Sequence, residues 1–285
     1  MSESMLRMEN VTMQFGGVVA VNNLSLNVDK GEIVALIGPN GAGKTTAFNC
    51  ITGVYQPTNG KVFFEDNLMV SAHPTGKMQK EYQGMNAEMY LKDKILDPTP
   101  DQITKLGIAR TFQNIRIYPK MSVCENVTIG LNSIPPYNAL EAMLRTPKVR
   151  RKEREAYEKA IGYLEMVGLK DLADQEAGSL PYGLQRKLEI ARALATNPKL
   201  LFLDEPAAGM NTGESMELVQ FLKQLHQETG LAIVLIEHHL EVVMEVCKNI
   251  TVLNLGALLA TGTPQEIQNN PQVIKAYLGE RRQKR

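Results

Sequence analysis

The sequence predicts an α/β fold whose core is a largely parallel β-sheet. Four short apolar runs carry this prediction, because they are continuous rather than alternating, as in strands that are buried on both faces. The runs cover residues 33–37, 200–203, 231–236 and 250–255. Helical patterns separate the runs, and one over 214–229 places Leu218, Leu222 and Leu225 on one face before Gly230.

The α/β core is predicted to be interrupted twice. Residues 69–98 are polar and rich in Met and Lys, which predicts a surface insertion. Residues 114–172 contain helical periodicity without a strand pattern, which predicts an inserted helical subdomain. The core then comprises residues 1–113 and 173–285 of a single domain that spans the chain.

The composition excludes several classes of function. The 285 residues carry 31 Lys and Arg against 31 Asp and Glu, so the formal net charge is zero, and there are seven Phe, nine Tyr and no Trp. A neutral chain with few aromatic residues disfavours nucleic-acid binding.

Three widely spaced cysteines predict a reducing compartment, and the N-terminus has no apolar signal. No run approaches the ~20 residues that span a bilayer, so we expect a soluble chain that reaches any membrane through a partner.

A phosphate-binding loop follows the first apolar run. Residues 38–45 read Gly-Pro-Asn-Gly-Ala-Gly-Lys-Thr and match G-x-x-x-x-G-K-[ST], with a helical stretch over 45–51 after them. Glycines let successive N–H groups point at a phosphate, and the helix N-terminus favours an anion. We predict that Lys44 reaches the β- and γ-phosphates and that Thr45 binds Mg²⁺. The predicted nucleotide-binding residues here are Gly38, Pro39, Asn40, Gly41, Ala42, Gly43, Lys44, Thr45 and Thr46.

Two acidic residues end the second apolar run. Asp204 is predicted to hold Mg²⁺ through its water shell, and Glu205 to act as the general base on the attacking water. These two motifs together still allow kinases, GTPases, helicases and transport ATPases. No N-K-x-D guanine-binding motif occurs in the sequence, which disfavours a GTPase.

Residues 180–194, Leu-Pro-Tyr-Gly-Leu-Gln-Arg-Lys-Leu-Glu-Ile-Ala-Arg-Ala-Leu, resemble the signature segment of ABC-type ATPases, which reads L-S-G-G-Q before a helix. Other motifs of that family occur in the same order along nearly the whole chain. By this resemblance Phe15 stacks on adenine, Gln113 acts at Mg²⁺ or the water, residues 208–211 form the D-loop, and His238 contacts the γ-phosphate as the switch histidine.

The resemblance also implies an architecture and a set of partners. It implies a P-loop NTPase (RecA-like) core with an N-terminal antiparallel β subdomain, and ATP and Mg²⁺ as cofactors. Two ATPase subunits of this family face each other head to tail, so that Pro181 and Gly183 would complete the partner's site. Membrane permease subunits, and indirectly an extracellular substrate-binding protein, are the other implied partners. The chain would then work at the cytoplasmic face of the membrane.

Finer similarities point to one branch of the family. The sequences Arg-Thr-Phe-Gln-Asn at 110–114, Pro-Ala-Ala-Gly-Met-Asn at 206–211 and Ile-Glu-His-His at 236–239 resemble the ATP-binding subunits of branched-chain amino acid importers, in particular the larger of the two. Importers of urea and short-chain amides and exporters of lipopolysaccharide share much of this pattern. A soluble non-transport ABC ATPase is the alternative from another class.

Several positions depart from the family pattern, among them Leu184, Asn211 and His239, and the departure at Pro181 carries a prediction. Pro181 stands where the family has Ser or another small residue, and it provides neither a hydroxyl nor a backbone N–H. The half-site that this signature completes is therefore predicted to be the weaker one. This asymmetry favours a heterodimer with a related ATPase subunit over a second copy of this chain.

Overall fold

Ten strands form two sheets in the computed structural model, which describes residues 3–131, 141, 143–144 and 146–283. The strands are β1 (Ser4–Phe15), β2 (Val18–Asp29), β3 (Ile33–Ile37), β4 (Asn59–Phe64), β5 (Asn67–Ala72), β6 (Ile108–Arg110), β7 (Leu200–Asp204), β8 (Ala232–Ile236), β9 (Asn249–Asn254) and β10 (Ala257–Gly262). A four-stranded sheet has the order β2-β1-β4-β5, and a six-stranded sheet has the order β10-β9-β3-β8-β7-β6.

The six-stranded sheet confirms the predicted α/β core. Neighbouring strands from β9 to β6 are parallel, and only the edge strand β10 is antiparallel. Every residue of β3, β7 and β8 is buried, as continuous apolar runs predict. The four-stranded sheet is antiparallel throughout, in agreement with the expected N-terminal subdomain.

Helices lie between the strands in chain order and follow the last strand. They are α1 (Lys44–Ile51), α2 (Gly76–Glu81), α3 (Pro100–Leu106), α4 (Val123–Leu131), α5 (Pro147–Met166), α6 (Tyr182–Leu194), α7 (Thr212–Thr229), α8 (Leu240–Val246), α9 (Pro264–Gln268) and α10 (Pro271–Gln283). The predicted helix over 214–229 corresponds to α7. This helix begins with a capping box formed by Asn211 and Glu214, and it ends at Gly230, which has φ 63°. None of the helices in the described part of the chain is long and apolar enough to cross a membrane.

Two local expectations differ from the structure. Residues 69–72, which their polar neighbourhood assigns to the insertion, instead form the buried part of β5 and pair with β4. Leu255, placed at the end of a buried run, lies in the turn before β10 at φ 49° and is 83% exposed. The predicted helical subdomain contains α4 and α5, whereas residues 132–140, 142 and 145 within it lie outside the described residues.

Candidate functional site

The phosphate-binding loop connects β3 to α1 at the carboxyl end of the parallel sheet. Gly43 adopts φ 97°, and a Cβ atom at this position would collide with the carbonyl oxygen of Ala20, so the loop requires glycine here. Lys44 is buried, and its Nζ donates to the carbonyl oxygens of Gly38 at 2.8 Å and Pro39 at 2.9 Å. The lysine ammonium is therefore held inside the loop, where a bound phosphate would be.

A cluster of three side chains lies at the ends of β6, β7 and β8. Gln113 Nε2 lies 2.8 Å from Glu205 Oε2, and His238 Nε2 lies 2.9 Å from Glu205 Oε1. The Glu205 backbone has φ 48°, and its N–H donates to the carbonyl of Ile236 at 2.8 Å. A non-glycine residue in the left-handed region is strained, and such strain is concentrated at functional sites. The structure thus brings the three predicted catalytic side chains together.

Asp204 is held by Arg110, a residue to which the sequence motifs assign no role. Arg110 Nη2 donates to Asp204 Oδ2 at 2.7 Å, and both side chains are almost completely buried. The second terminal nitrogen of Arg110 donates to Asn49 Oδ1 on α1 and to Thr52 Oγ1 at the C-cap of that helix. One guanidinium therefore connects β6, β7 and the helix that follows the phosphate loop, and it fixes the orientation of the Asp204 carboxylate.

Glu237 is a second residue that sequence reasoning passed over. Its side chain is 1% exposed. Glu237 Oε1 accepts the N–H of Ala207 at 2.7 Å, and Oε2 accepts the N–H groups of His238 at 3.0 Å and His239 at 3.2 Å. This carboxylate fastens the loop after Glu205 to the loop that carries His238. Its position directly before two histidines and after a buried strand is the only sequence signal for this role.

The signature residues line a different surface pocket. Pro181 is the N-cap of α6 with φ −54°, and its carbonyl accepts the N–H groups of Leu184 and Gln185 at 3.0 Å. Proline is accommodated here because the N–H that it lacks would have no partner within the helix. Pro181 and Gly183 share this pocket with Met210 of the predicted D-loop.

A buried arginine connects the signature helix to Gln113. Arg186 is fully buried, and its terminal nitrogens donate to the carbonyl oxygens of Phe112 and Gln113, each at 2.8 Å. The same guanidinium pairs with Glu189 at 2.7 Å. The sequence predicts only a place in the signature motif for Arg186, because the carbonyls it binds lie more than 70 positions away in the sequence. The structure places it between α6 and the segment after β6.

Phe15 ends β1 on the hairpin that borders the phosphate loop. It is 44% exposed, and its ring meets Tyr55 edge-on with centroids 5.3 Å apart. The other strand of the hairpin, β2, carries Ala20, whose carbonyl lies against Gly43. The aromatic ring is therefore available for stacking next to the predicted nucleotide site.

The C-terminal helices approach the catalytic cluster from the other side. A cavity of about 530 Å³ is lined by His238 and Asn40 together with side chains of α8, α9 and α10. Its C-terminal walls are mainly aliphatic and include Ile267, Val273 and Ile274. The segment after β10 is thus packed beside His238.

The oxygen donors near the phosphate loop suit a cation whose remaining ligands come from a bound phosphate. Across the described residues no group of three His, Cys, Asp or Glu side chains is arranged to hold a metal ion. Thr45, Gln113 and Asp204 offer a hydroxyl, an amide oxygen and a carboxylate, which are the hard oxygen donors that Mg²⁺ prefers when few protein ligands and substrate phosphates complete its shell.

Comparisons with known proteins agree with this geometry. A family model described as ABC transporter matches residues 21–208, and one described as Branched-chain amino acid ATP-binding cassette transporter matches residues 257–282. The high-affinity branched-chain amino acid transport ATP-binding protein BraF of Pseudomonas aeruginosa is 42% identical over 280 residues, which cover 98% of this chain and 100% of BraF.

Solved structures show the same fold. An ATP-binding cassette of an ABC transporter in its ADP conformation superposes with a TM-score of 0.77 at 31% identity, covering 97% of this chain and 99% of that chain. A dimeric bacterial ABC transporter cassette superposes with a TM-score of 0.67 at 25% identity, covering 91% and 99% of the two chains.

Proposed function

This chain belongs to the ABC transporter family of ATP-binding proteins, and we propose that it is the ATP-hydrolysing subunit of an importer for branched-chain amino acids. The observation that carries the ATPase activity is the placement of Glu205 between Gln113 and His238, beside Asp204 and the phosphate loop. The substrate class is supported by the relatives and by the match over residues 257–282.

Nucleotide binding would rearrange the contacts of the phosphate loop. Lys44 Nζ exchanges the carbonyls of Gly38 and Pro39 for the β- and γ-phosphates, while loop N–H groups and the N-terminus of α1 bind phosphate oxygens. Thr45, Asp204 and Gln113 are the residues that would hold Mg²⁺, which neutralises charge on the phosphates when bound. Phe15 would stack on the adenine.

The catalytic side chains would then activate and orient the attacking water. Glu205 accepts a proton from the water as general base. His238 and Gln113, which contact the two oxygens of the Glu205 carboxylate, would position that base, and His238 would contact the γ-phosphate. Arg110 keeps Asp204 oriented, and Glu237 keeps the His238 backbone in place.

The complete site needs a second ATPase subunit. Pro181 and Gly183 line a pocket of their own, so we propose that they complete the nucleotide site of a partner in a head-to-tail dimer. A dimeric cassette among the structural relatives supports this arrangement. A paralogous ATPase subunit is the favoured partner because of Pro181. Permease subunits would anchor the pair to the cytoplasmic side of the membrane, and an extracellular binding protein would deliver substrate to them.

Transport by the assembled complex tests the proposed substrate. The chain is co-purified with its membrane partners, reconstituted with the extracellular binding protein, and assayed for ATP-dependent uptake of labelled leucine with urea as competitor. Leucine uptake that urea does not inhibit is the expected result. Active hydrolysis without leucine uptake would instead favour urea or amide import or lipopolysaccharide export. Hydrolysis without any membrane partner would favour a non-transport ATPase.

Replacing Pro181 with Ser is expected to raise ATP hydrolysis by the assembled complex about five- to thirty-fold, because it restores a hydroxyl and an N–H, and each hydrogen bond is worth about 1 kcal/mol. The steady-state hydrolysis rate of the complex measures the effect. Pro181→Ala restores only the N–H and separates the two contributions. An unchanged rate in both variants would contradict the weak half-site.

Replacing Phe15 with Ala is expected to raise the dissociation constant for ATP about five-fold, because a stacking contact of ~1 kcal/mol is lost. Equilibrium binding of a fluorescent ATP analogue to the purified chain measures the change. Phe15→Tyr keeps an aromatic face and serves as the matched control. Equal affinities of the wild type and Phe15→Ala would exclude Phe15 from the adenine site.

A further inference from the structure

The part of the polar insertion that follows β5, residues 73–97, has no role in ATP binding or hydrolysis as described above. Hydrogen bonds and an ion pair nevertheless attach it to the N-terminal sheet. The contacts join Asn10 Nδ2 to Tyr90 Oη at 2.8 Å, Asn59 Nδ2 to the Met85 carbonyl at 3.3 Å, Asn86 Nδ2 to Asn23 Oδ1 at 2.8 Å, and Lys61 Nζ to Asp93 Oδ2 at 2.9 Å. We call residues 73–97 the cover segment. It is attached at several points to the sheet that carries Phe15.

One buried side chain connects the cover segment to the immediate neighbours of Phe15. Gln14 is 3% exposed, and its Nε2 donates both to the Gly16 carbonyl at 2.7 Å and to the Glu81 carbonyl at 2.9 Å. Gln14 Oε1 accepts the N–H of Gln83 at 3.0 Å. A single amide thus ties the residues on both sides of Phe15 to the cover segment.

The hydrogen bonds of Gln14 restrict the conformation of the β1–β2 turn. A buried amide whose donors and acceptor are all used is strongly oriented, because breaking any of its bonds leaves a buried polar atom without a partner. The Gly16 and Gly17 backbone that follows Phe15 would otherwise be flexible. Holding Gly16 therefore reduces the number of positions that the half-exposed Phe15 ring can occupy.

We propose that the cover segment, acting through Gln14, positions Phe15 for the adenine base and thereby sets the affinity of this chain for ATP. The inference rests on the proposed adenine-stacking role of Phe15. A ring that is already oriented loses less conformational freedom when the base binds, and such preorganisation increases affinity. Gln14 and the backbone at Glu81 and Gln83 that holds it act as positioning groups in this scheme, and the rest of the cover segment does not contact the nucleotide.

Two variants break the link from opposite sides. Gln14→Leu removes the amide and keeps a side chain of similar size. Gln83→Pro removes the N–H that donates to Gln14, and Tyr82 before it already has the extended φ −64° and ψ 121° that a following proline requires. We expect each variant to raise the dissociation constant for ATP about five-fold, while the hydrolysis rate of the assembled complex at saturating ATP stays unchanged.

The same substitutions in a Phe15→Ala background identify the route of the effect. If Gln14 acts through the ring, Gln14→Leu adds no further loss of ATP affinity once the ring is absent. Tyr90→Phe is the matched control, because it removes a hydrogen bond of the cover segment at the end remote from Phe15 and is expected to leave ATP affinity unchanged.

The outcomes separate this inference from the assignment of Phe15. If Phe15→Ala weakens ATP binding but Gln14→Leu and Gln83→Pro do not, the positioning role is overturned and the stacking role stands. If Phe15→Ala itself has no effect, both are overturned. Equal losses in Tyr90→Phe and Gln14→Leu, or additive losses in the double variant, would show general destabilisation of the sheet and would also overturn the proposal.

Discussion

Replacing Glu205 with Gln is expected to lower the rate of ATP hydrolysis by the assembled complex about 10²- to 10⁴-fold and to leave ATP binding near the wild-type level. The amide retains the size of the carboxylate but cannot accept a proton from water. The contacts of Glu205 with Gln113 and His238 involve side-chain oxygens, so the phosphate loop and Phe15 are not altered by the change. Hydrolysis and equilibrium ATP binding are measured on the same preparation.

A matched control is available on α7. Glu228 is an exposed carboxylate that accepts a hydrogen bond from Gln224, and Glu228→Gln makes the same chemical change away from the site. We expect this control to hydrolyse ATP at the wild-type rate. Near-normal turnover in Glu205→Gln would exclude Glu205 as the base. Loss of ATP binding in that variant would assign it a structural role, consistent with its strained backbone at φ 48°.

The parts of the site that the sequence predicted are those encoded locally. The loop at 38–45 is contiguous and is framed by a strand and a helix, and Asp204 and Glu205 directly follow a buried run. Parallel strands place their carboxyl ends at one edge of the sheet, so motifs at the ends of separate strands meet there. This geometry explains why Gln113, Glu205 and His238 are in contact although up to 125 positions separate them.

The residues that were missed are buried polar groups whose partners lie far away in the chain. Arg186 contacts Gln113, Glu237 contacts Ala207, and Gln14 contacts Glu81, over separations of 73, 30 and 67 positions. Periodicity reports which residues are buried, but it carries no information on which polar groups pair after folding. Such pairs follow from the requirement that buried polar atoms be satisfied, which only the tertiary structure reveals.

The assignment of residues 69–72 to a polar insertion shows a different limit. Average composition predicts a polar insertion, whereas the two residues between β4 and β5 indicate a hairpin. Glu65 and Asp66 both have positive φ, at 47° and 62°, and they connect β4 to β5 as a two-residue turn. Asp is one of the residues favoured in such hairpin turns, and Asp66 occupies the second central position. The turn therefore favours a following strand, even though residues 73–86 beyond that strand are mostly polar.

Replacing Arg186 with Met is expected to destabilise the folded chain by about 3–5 kcal/mol. The substitution leaves the Glu189 carboxylate buried and without its charged partner, and it leaves the Phe112 and Gln113 carbonyls without their donors. Removal of one member of a buried pair costs more than the pair itself contributes, because the remaining charge stays desolvated. Urea-induced unfolding followed by circular dichroism measures the loss.

Two further variants distinguish the buried charge from other causes of the loss. The double variant Arg186→Met/Glu189→Leu is expected to recover part of the lost stability, because it removes the unpaired carboxylate as well. Arg154→Met breaks an exposed ion pair with Glu158 on α5 and is expected to leave the unfolding midpoint unchanged. A loss in Arg186→Met no larger than that of Arg154→Met would contradict the prediction.

The double variant also bears on how the signature helix and Gln113 are connected. Arg186 is the contact that joins α6 to the backbone of Phe112 and Gln113, and Gln113 in turn donates to Glu205. If stability is recovered in Arg186→Met/Glu189→Leu while hydrolysis by the assembled complex remains low, the Arg186–Glu189 pair is needed to hold the segment that carries Gln113 and not only for folding. A movement of α6 on dimer closure would then reach the catalytic base through this pair, since Glu189 also accepts the N–H of Arg116 at 3.2 Å.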